Sequence, residues 1–499
     1  MTGPLLLLGA LVAGILAGDA FGPGPAGLLL AVAGSACAAA WWLGRRVAVR
    51  AALLVAVVGA LFGGIAVEQR ALHGLVSSPL TPLVDAGSTS TVDVTLLEDP
   101  AGPRFRTEAL VRVDAAGGRG AGSRIVLLIA SGDEQSVLRV LAAGDRLRLR
   151  GTFAPLTGYS TRLKWRHAVG QLALGEGRVV APPAGGVTRI ANGLRRVVLR
   201  GADVLPPTPR ALLAGFVLGD TRAIPESLVD DFRAAGLSHL LAVSGANVAF
   251  ALAIADPVLR RLRLGARFAG GVAVLVLFGT MTRWEPSVLR ASVMAGLVML
   301  ARLLGRPADA RRVLVLAALA LLVVDPFLLH SVGFLLSCGA CAGIVVGSGT
   351  IARRLRGPAW FREALGVTAA AQLGVAPVLL AVFGAIPLVA LPANVLAAPF
   401  VGPLTIWGIV ASAVGGALGP AAALWLQLPT LAMLRSVESI AHAAAQVPLA
   451  VDTRTSGALA LVAGIGWVAH RAWSYRAGRV AGRGRRLSRE GQRPGPAGP

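Results

Sequence analysis

Residues 51–67 read Ala-Ala-Leu-Leu-Val-Ala-Val-Val-Gly-Ala-Leu-Phe-Gly-Gly-Ile-Ala-Val, without one charged or hydrogen-bonding side chain. A helix that crosses a bilayer needs ~20 mostly apolar residues, and this run reads as such a helix. Residues 4–18 and 26–43 read the same way. Comparable runs recur to about residue 473, so they are not a removable leader. The chain of 499 residues is 55% hydrophobic and 15% charged, with a mean hydropathy of +0.70. Soluble domains carry about a quarter charged residues. The expected fold class is therefore a polytopic α-helical membrane protein with about twelve transmembrane helices, some broken or re-entrant.

The apolar pattern stops after the third run. From residue 70 to 185 there are fourteen basic residues against ten acidic ones, a net charge of +4, and no span-length run. Short alternating stretches replace it: Val92 to Leu96, Ala109 to Val113, Ile125 to Ile129 and Arg146 to Arg150, separated by Gly-, Pro- and Asp-rich turns. About five strands in some hundred residues suit one small OB-like β-barrel. Arg146, Arg148 and Arg150 fall on one strand face, and Arg162, Lys164, Trp165 and Arg166 set charge beside an aromatic ring. These seven residues are candidate external contacts for a nucleic acid strand; a solvated strand face and a membrane-facing turn explain them equally well. Pro225 suits the first turn of a helix with Leu228, Val229 and Phe232 on one face and Gly236 as its C-cap, lying on the membrane or on the strand-rich part.

Charge placement gives an orientation. Arg45, Arg46 and Arg50 put the link after the second helix in the cytoplasm, and therefore the N-terminus as well. The strand-rich segment is then extracytoplasmic, and later clusters at Arg260–Arg267, Arg302–Arg312 and Arg353–Arg356 alternate so that the C-terminus is cytoplasmic. The expected division is residues 1–68 as N-terminal transmembrane helices, 69–185 as the extracytoplasmic β domain and 186–236 as amphipathic linker helices. Residues 237–474 follow as a second transmembrane bundle and 475–499 as a basic, disordered cytoplasmic tail. The formal charge of +23 is mostly arginine placed by this rule, since Lys164 is the only lysine.

Polar groups inside apolar runs are the functional pointers, because an ionisable side chain at the bilayer centre costs roughly 2.5–3.5 kcal/mol on insertion scales. Ser244 and Asn247 are three residues apart and share a helix face, with Gly245 permitting a break between them. Ser287 and Arg290 follow Pro286 on one face. Ser337, Gln372 and Asn394 each stand in an apolar stretch, and Pro392, Pro399 and Pro403 argue for a kinked or re-entrant segment. Helix–helix hydrogen bonding explains the uncharged groups as well, and snorkelling explains Arg290. Walker A, HExxH and nucleophile-elbow patterns are missing, and the six histidines (His73, His167, His239, His330, His442 and His470) are scattered singly. Cys37, Cys338 and Cys341 all lie in apolar segments. The reading is a protein that is not an enzyme, with no catalytic residues, no metal site and no cofactor.

At these stretches the sequence resembles the ComEC family, polytopic proteins through which competent bacteria take up DNA. Gly219-Asp220, the Pro225 helix and His239 to Gly245 are similar to the family's signature in order and spacing. Pro286 to Ala291, Gly333 to Ser337, Gln372 and Pro392-Ala393-Asn394 with Pro399 are similar to its later motifs. Relatives usually have histidine at Asn247, which bears on any proton-dependent role there. The resemblance implies an inner-membrane channel importing single-stranded DNA during natural transformation, with a DNA path at Ser244, Gly245, Asn247, Ser287, Arg290, Ser337, Gln372 and Asn394. It implies membrane lipids, a cytoplasmic DNA-translocating ATPase and an extracytoplasmic DNA receptor as partners. With no HxHxDH run, it also implies a conduit without its own nuclease, served by a separate one. The alternative is a secondary transporter of a small or lipid-linked anion, which predicts a closed midplane pocket and two pseudo-symmetric halves. An intramembrane hydrolase built on Ser244 ranks third, since Asn247 is no base.

Overall fold

The computed structural model describes residues 2–24, 26–46, 49–102, 105–181, 185–447 and 450–452. The expected last span, up to residue 473, and the basic tail lie outside them. Helices α1 (Thr2–Phe21) and α2 (Ala26–Arg46) both pack along α3 (Val49–Val76), whose C-terminal part runs beyond the apolar stretch. After the short α4 (Thr81–Asp85) comes the sheet: β1 (Thr89–Leu96), β2 (Arg106–Ala116), β3 (Arg119–Ser131), then α5 (Gln135–Arg139), β4 (Arg146–Ala154) and β5 (Ala168–Ala181). Strand β1 pairs with both β2 and β4, β2 with β3, β3 in parallel with β5, and β5 with β4, so the ladder returns to its starting strand. The two-residue period does what the sequence asks. Leu147, Leu149 and Phe153 of β4 point into a core with Val94, Val111 and Leu128, while Arg146, Arg148 and Arg150 stay exposed.

The chain then returns to helices: α6 (Gly186–Ala202), α7 (Pro207–Leu218), α8 (Glu226–Ala234), α9 (Ser238–Leu241), α10 (Gly245–Leu259), α11 (Leu264–Met281), α12 (Pro286–Leu303) and α13 (Ala310–Val324). A 3-10 turn (Pro326–His330) leads to α14 (Val332–Arg354) and α15 (Ala359–Phe383), and β6 (Ala385–Pro387) to α16 (Ala390–Leu418) and α17 (Pro420–Ala445). Strand β7 (Ala450–Asp452) pairs with β6. Eight described helices (α1, α2, α3, α11, α12, α14, α15 and α16) are long and apolar enough to cross a membrane. This is a multi-pass membrane protein.

Two expectations change. Residues 186–236 do not form a peripheral layer: Leu212 and Phe216 of α7 and Phe232 of α8 are buried in one core with Leu404 of α16 and Leu434 of α17. Pro225 caps α8 from outside rather than occupying its first turn. The proline-rich stretch is not re-entrant either, because α16 runs unbroken through Pro399 and Pro403, and α15 runs through Pro377. A proline removes one rung of a long ladder, and neighbouring helices can hold the rest in place. Of the stretches expected to break, only 242–244 does so.

Helix α6 reaches α16 backbone to backbone: a Cβ built on Gly201 runs into the Ser412 carbonyl, and one on Gly416 into that of Val197. Gly201→Leu is therefore expected to lower the thermal midpoint of the detergent-solubilised protein by several degrees, since overpacking costs about 1–3 kcal/mol. An unchanged midpoint would show that the two helices part without loss.

Candidate functional site

The break between α9 and α10 is the centre of a polar cluster inside the helical bundle. Ala242 and Ser244 are extended, and α10 starts at Gly245. A broken helix leaves backbone groups to be satisfied by neighbours. Ser287, in the first turn of α12, donates its hydroxyl to the Val243 carbonyl at 2.6 Å. Asn247 is 4% exposed, and its Nδ2 donates to the Phe216 carbonyl at 2.7 Å, a group orphaned at the end of α7. Ser244 Oγ donates to Asn247 Oδ1 at 2.9 Å, so the pair meets although Ser244 lies outside the helix.

Arg290 completes the cluster. It is 5% exposed, so it does not snorkel to an interface. Its Nε donates to Ser337 Oγ of α14 at 2.7 Å, and one terminal nitrogen lies 2.9 Å from Met294 Sδ. The other would sit 2.9 Å from a Cβ placed on Gly245, so glycine there lets the guanidinium lie against the break. Among the described residues Arg290 makes no ion pair. Its hydrogen-bond partners among those residues, Ser337 and Met294, are neutral.

Six of the eight expected path residues (Ser244, Gly245, Asn247, Ser287, Arg290 and Ser337) thus converge. Two do not join them by any hydrogen bond among the described residues. Asn394 donates to Ala390 of its own helix at 2.8 Å, and Gln372 is half-buried on α15. Of the external set, Arg148 forms a two-pronged pair with Asp93, and Arg166 pairs with Glu98. Trp165 stacks on His330 with ring centroids 3.7 Å apart, and the Lys164 ammonium sits 4.1 Å from the same ring's centroid. Arg146, Arg150 and Arg162 remain exposed. Arg70, Arg124 and His167 line a cavity of about 580 Å³ between α3, the sheet and the end of α13.

Compared with known proteins, residues 216–478 match the family model described as "Competence protein", which is more than half of the chain. The chain belongs to the competence protein family. All eight path positions fall inside the matched competence segment, and the ComEC-like motifs lie there in order. The chain is 22% identical over 312 residues to ComE operon protein 3 of Bacillus subtilis strain 168, covering 56% of this chain and 39% of that protein. It is 27% identical over 234 residues to the uncharacterised protein YcaI of Escherichia coli K12, covering 43% of this chain and 30% of that one. The chain thus spans well under half the length of these curated relatives. No solved structure shows a significant match.

One feature of this competence protein escapes the sequence: a charged joint between sheet and bundle. Arg195 of α6 donates to Asp99 at 2.8 Å, to the Met281 carbonyl at 2.6 Å and to the Leu218 carbonyl at 3.1 Å, with Asp220 at 3.4 Å. Arg283, from the α11–α12 loop, donates to Asp99 at 2.6 Å and to Asn192 at 2.9 Å. Arg222 grips Asp220 with two nitrogens and reaches the Pro100 carbonyl. Burial pushes the Asp99 carboxyl up, but Arg195 and Arg283 outweigh it and hold it below the usual carboxylate range. Burial likewise raises Asp220, and Arg222 and Arg195 more than reverse it. Asp220 belongs to a motif singled out in the sequence; Asp99, which shares Arg195 with it, lies in an unremarkable turn before Pro100.

Proposed function

We propose that this protein forms an inner-membrane conduit for DNA uptake in competence, passing a single strand at the α9–α10 break. The observation that supports it is Arg290: a buried guanidinium surrounded by Ser337, Met294 and Gly245, without a carboxylate among the described residues. A buried charge left without a counter-charge is costly. A phosphate brought to that point relieves the cost, and neutral neighbours let it leave again, as transit demands. The OB-like strand order and the basic cavity beside Arg70 and Arg124 support an external approach for the strand. The test is uptake of labelled DNA in a deletion strain complemented with this chain, scored separately for surface-bound and protected DNA. Protected DNA restored to the complemented strain supports the reading; unchanged protection in the deletion strain contradicts it.

The near-complete burial of Asn247 and Arg290 favours a second reading, an occluded site in a transporter for a small or lipid-linked anion. That reading predicts uptake of a small anion and indifference to DNA.

The proposed orientation puts the sheet outside and both termini in the cytoplasm. The α11–α12 loop touches the sheet through Arg283, and the α13–α14 loop touches it through Asp325 and His167. The arginine-rich 260–263 segment lies at the other end of α11, ~27 Å away at 1.5 Å per residue. Alkaline-phosphatase fusions at Gly120 are expected to be active and fusions at Arg306 inactive. The reverse pattern would invert the map.

A further inference from the structure

The sequence reading leaves the histidines scattered and the protein without a metal site, yet the fold brings three ligand-type side chains together. Asp19, near the end of α1, Glu68 of α3 and His330, at the end of the 3-10 turn before α14, each offer one donor atom within 4.8 Å of the others. Glu68 is 0% exposed. Among the described residues neither of its carboxylate oxygens has a hydrogen-bond partner, and His330 Nε2 has none either. A fully buried carboxylate with no partner is among the costliest groups a fold can carry. Its acidic neighbour Asp19 raises that cost.

We propose that Asp19, Glu68 and His330 bind one divalent transition-metal cation of the zinc or manganese class. Two carboxylates and a dication are neutral together, which removes the burial penalty of Glu68 and the repulsion from Asp19. The donor set selects the ion: an imidazole nitrogen with two carboxylate oxygens suits zinc or manganese, whereas calcium and magnesium take oxygen throughout. Metal–ligand bonds of ~2.0–2.2 Å put tetrahedral donors ~3.4 Å apart, so atoms within 4.8 Å of one another need to close by at most ~1.4 Å. The imidazole is oriented from behind. Trp165 stacks on it nearly parallel, at 8°, and Trp165 meets Phe327 edge-on at 5.3 Å. Asp325, whose carboxylate accepts from the Phe327 amide at 3.1 Å, also contacts His167 at 3.1 Å. The ion therefore ties three parts of the chain: the first helices, the competence-matched bundle and, through Trp165, the sheet. It is a structural staple, and it stands independently of the DNA reading.

The test uses the full-length protein in detergent, dialysed against a chelator and then titrated with Zn²⁺ or Mn²⁺ alone. The expected result is about one equivalent of zinc or manganese retained per chain by elemental analysis, with a thermal midpoint that rises on loading. Glu68→Gln and His330→Ala are each expected to weaken binding by about 100-fold and to abolish the rise. Asp19→Asn, at the least buried of the three positions, serves if those variants do not fold, with a weakening of about tenfold. Metal retention equal in wild type and Asp19→Asn would overturn the proposal. A metal-free Glu68→Gln protein as stable as the wild type with or without metal would also overturn it, and would make Glu68 a protonated carboxyl.

Discussion

Arg290→Ala is expected to lower the amount of DNA that becomes protected by about tenfold or more, while surface binding and protein level stay at wild type. The size follows from a hydrogen bond to a charged group, worth about 1.5–3 kcal/mol, with each 1.4 kcal/mol a factor of ten. Arg290→Lys is expected to recover only part of the loss. The guanidinium spans Ser337, Met294 and the Gly245 backbone at once, and an ammonium on a flexible stem cannot hold that fork. Full recovery by lysine would mean that position 290 supplies charge alone. Normal protection in Arg290→Ala would return Arg290 to a packing role. Asn247→Leu is a poorer probe than Arg290→Ala. It strands the Phe216 carbonyl, and a buried unpaired acceptor costs about 1–3 kcal/mol in folding before any effect on transport is read.

The second large effect is expected at the joint. Arg195→Met leaves the buried Asp99 and Asp220 with one arginine each and strips two carbonyls of their donor. Removing one member of a buried charge network costs about 3–5 kcal/mol, so the variant should be strongly depleted from membranes and show a lowered thermal midpoint. Adding Asp99→Asn should deepen the loss, because the half-buried Arg283 then has no carboxylate to pair with. Because Asp99 and Asp220 are held below the ordinary carboxylate range, the joint contributes its stability above that range. The wild type should lose it only as pH falls through the lowered values. A double variant no worse than Arg195→Met would show that shape, not charge, holds the sheet to the bundle.

What was legible in the sequence follows the reach of each signal. Period-two alternation is local, and β4 buries Leu147 and Leu149 while exposing Arg146 and Arg148 as that pattern requires. Apolar length is local too, and the runs ending at 18, 43 and 67 lie within α1, α2 and α3. The convergence of Ser244, Asn247, Ser287, Arg290 and Ser337 was legible because each stands out as a polar group in an apolar run. Proline misled: a single residue marks a lost donor, yet α16 continues as one helix through Pro399 and Pro403. The joint and the Asp19–Glu68–His330 cluster stayed hidden for the opposite reason. Asp99 meets Arg283 across 184 residues, and nothing near either one announces the other. Residues 186–236 look amphipathic and peripheral because moderate apolarity does not tell membrane contact from burial against α16 and α17.

The central claim is that an imported strand passes the side chains around Arg290. A photo-crosslinking residue at Ser337, in cells taking up labelled DNA, tests this most directly against the same residue at Val346, which is 65% exposed on the same helix. The account predicts protein–DNA adducts at position 337, dependent on active uptake, and none above background at 346. Equal labelling at the two positions, or none at 337 while protected DNA accumulates normally, would contradict it.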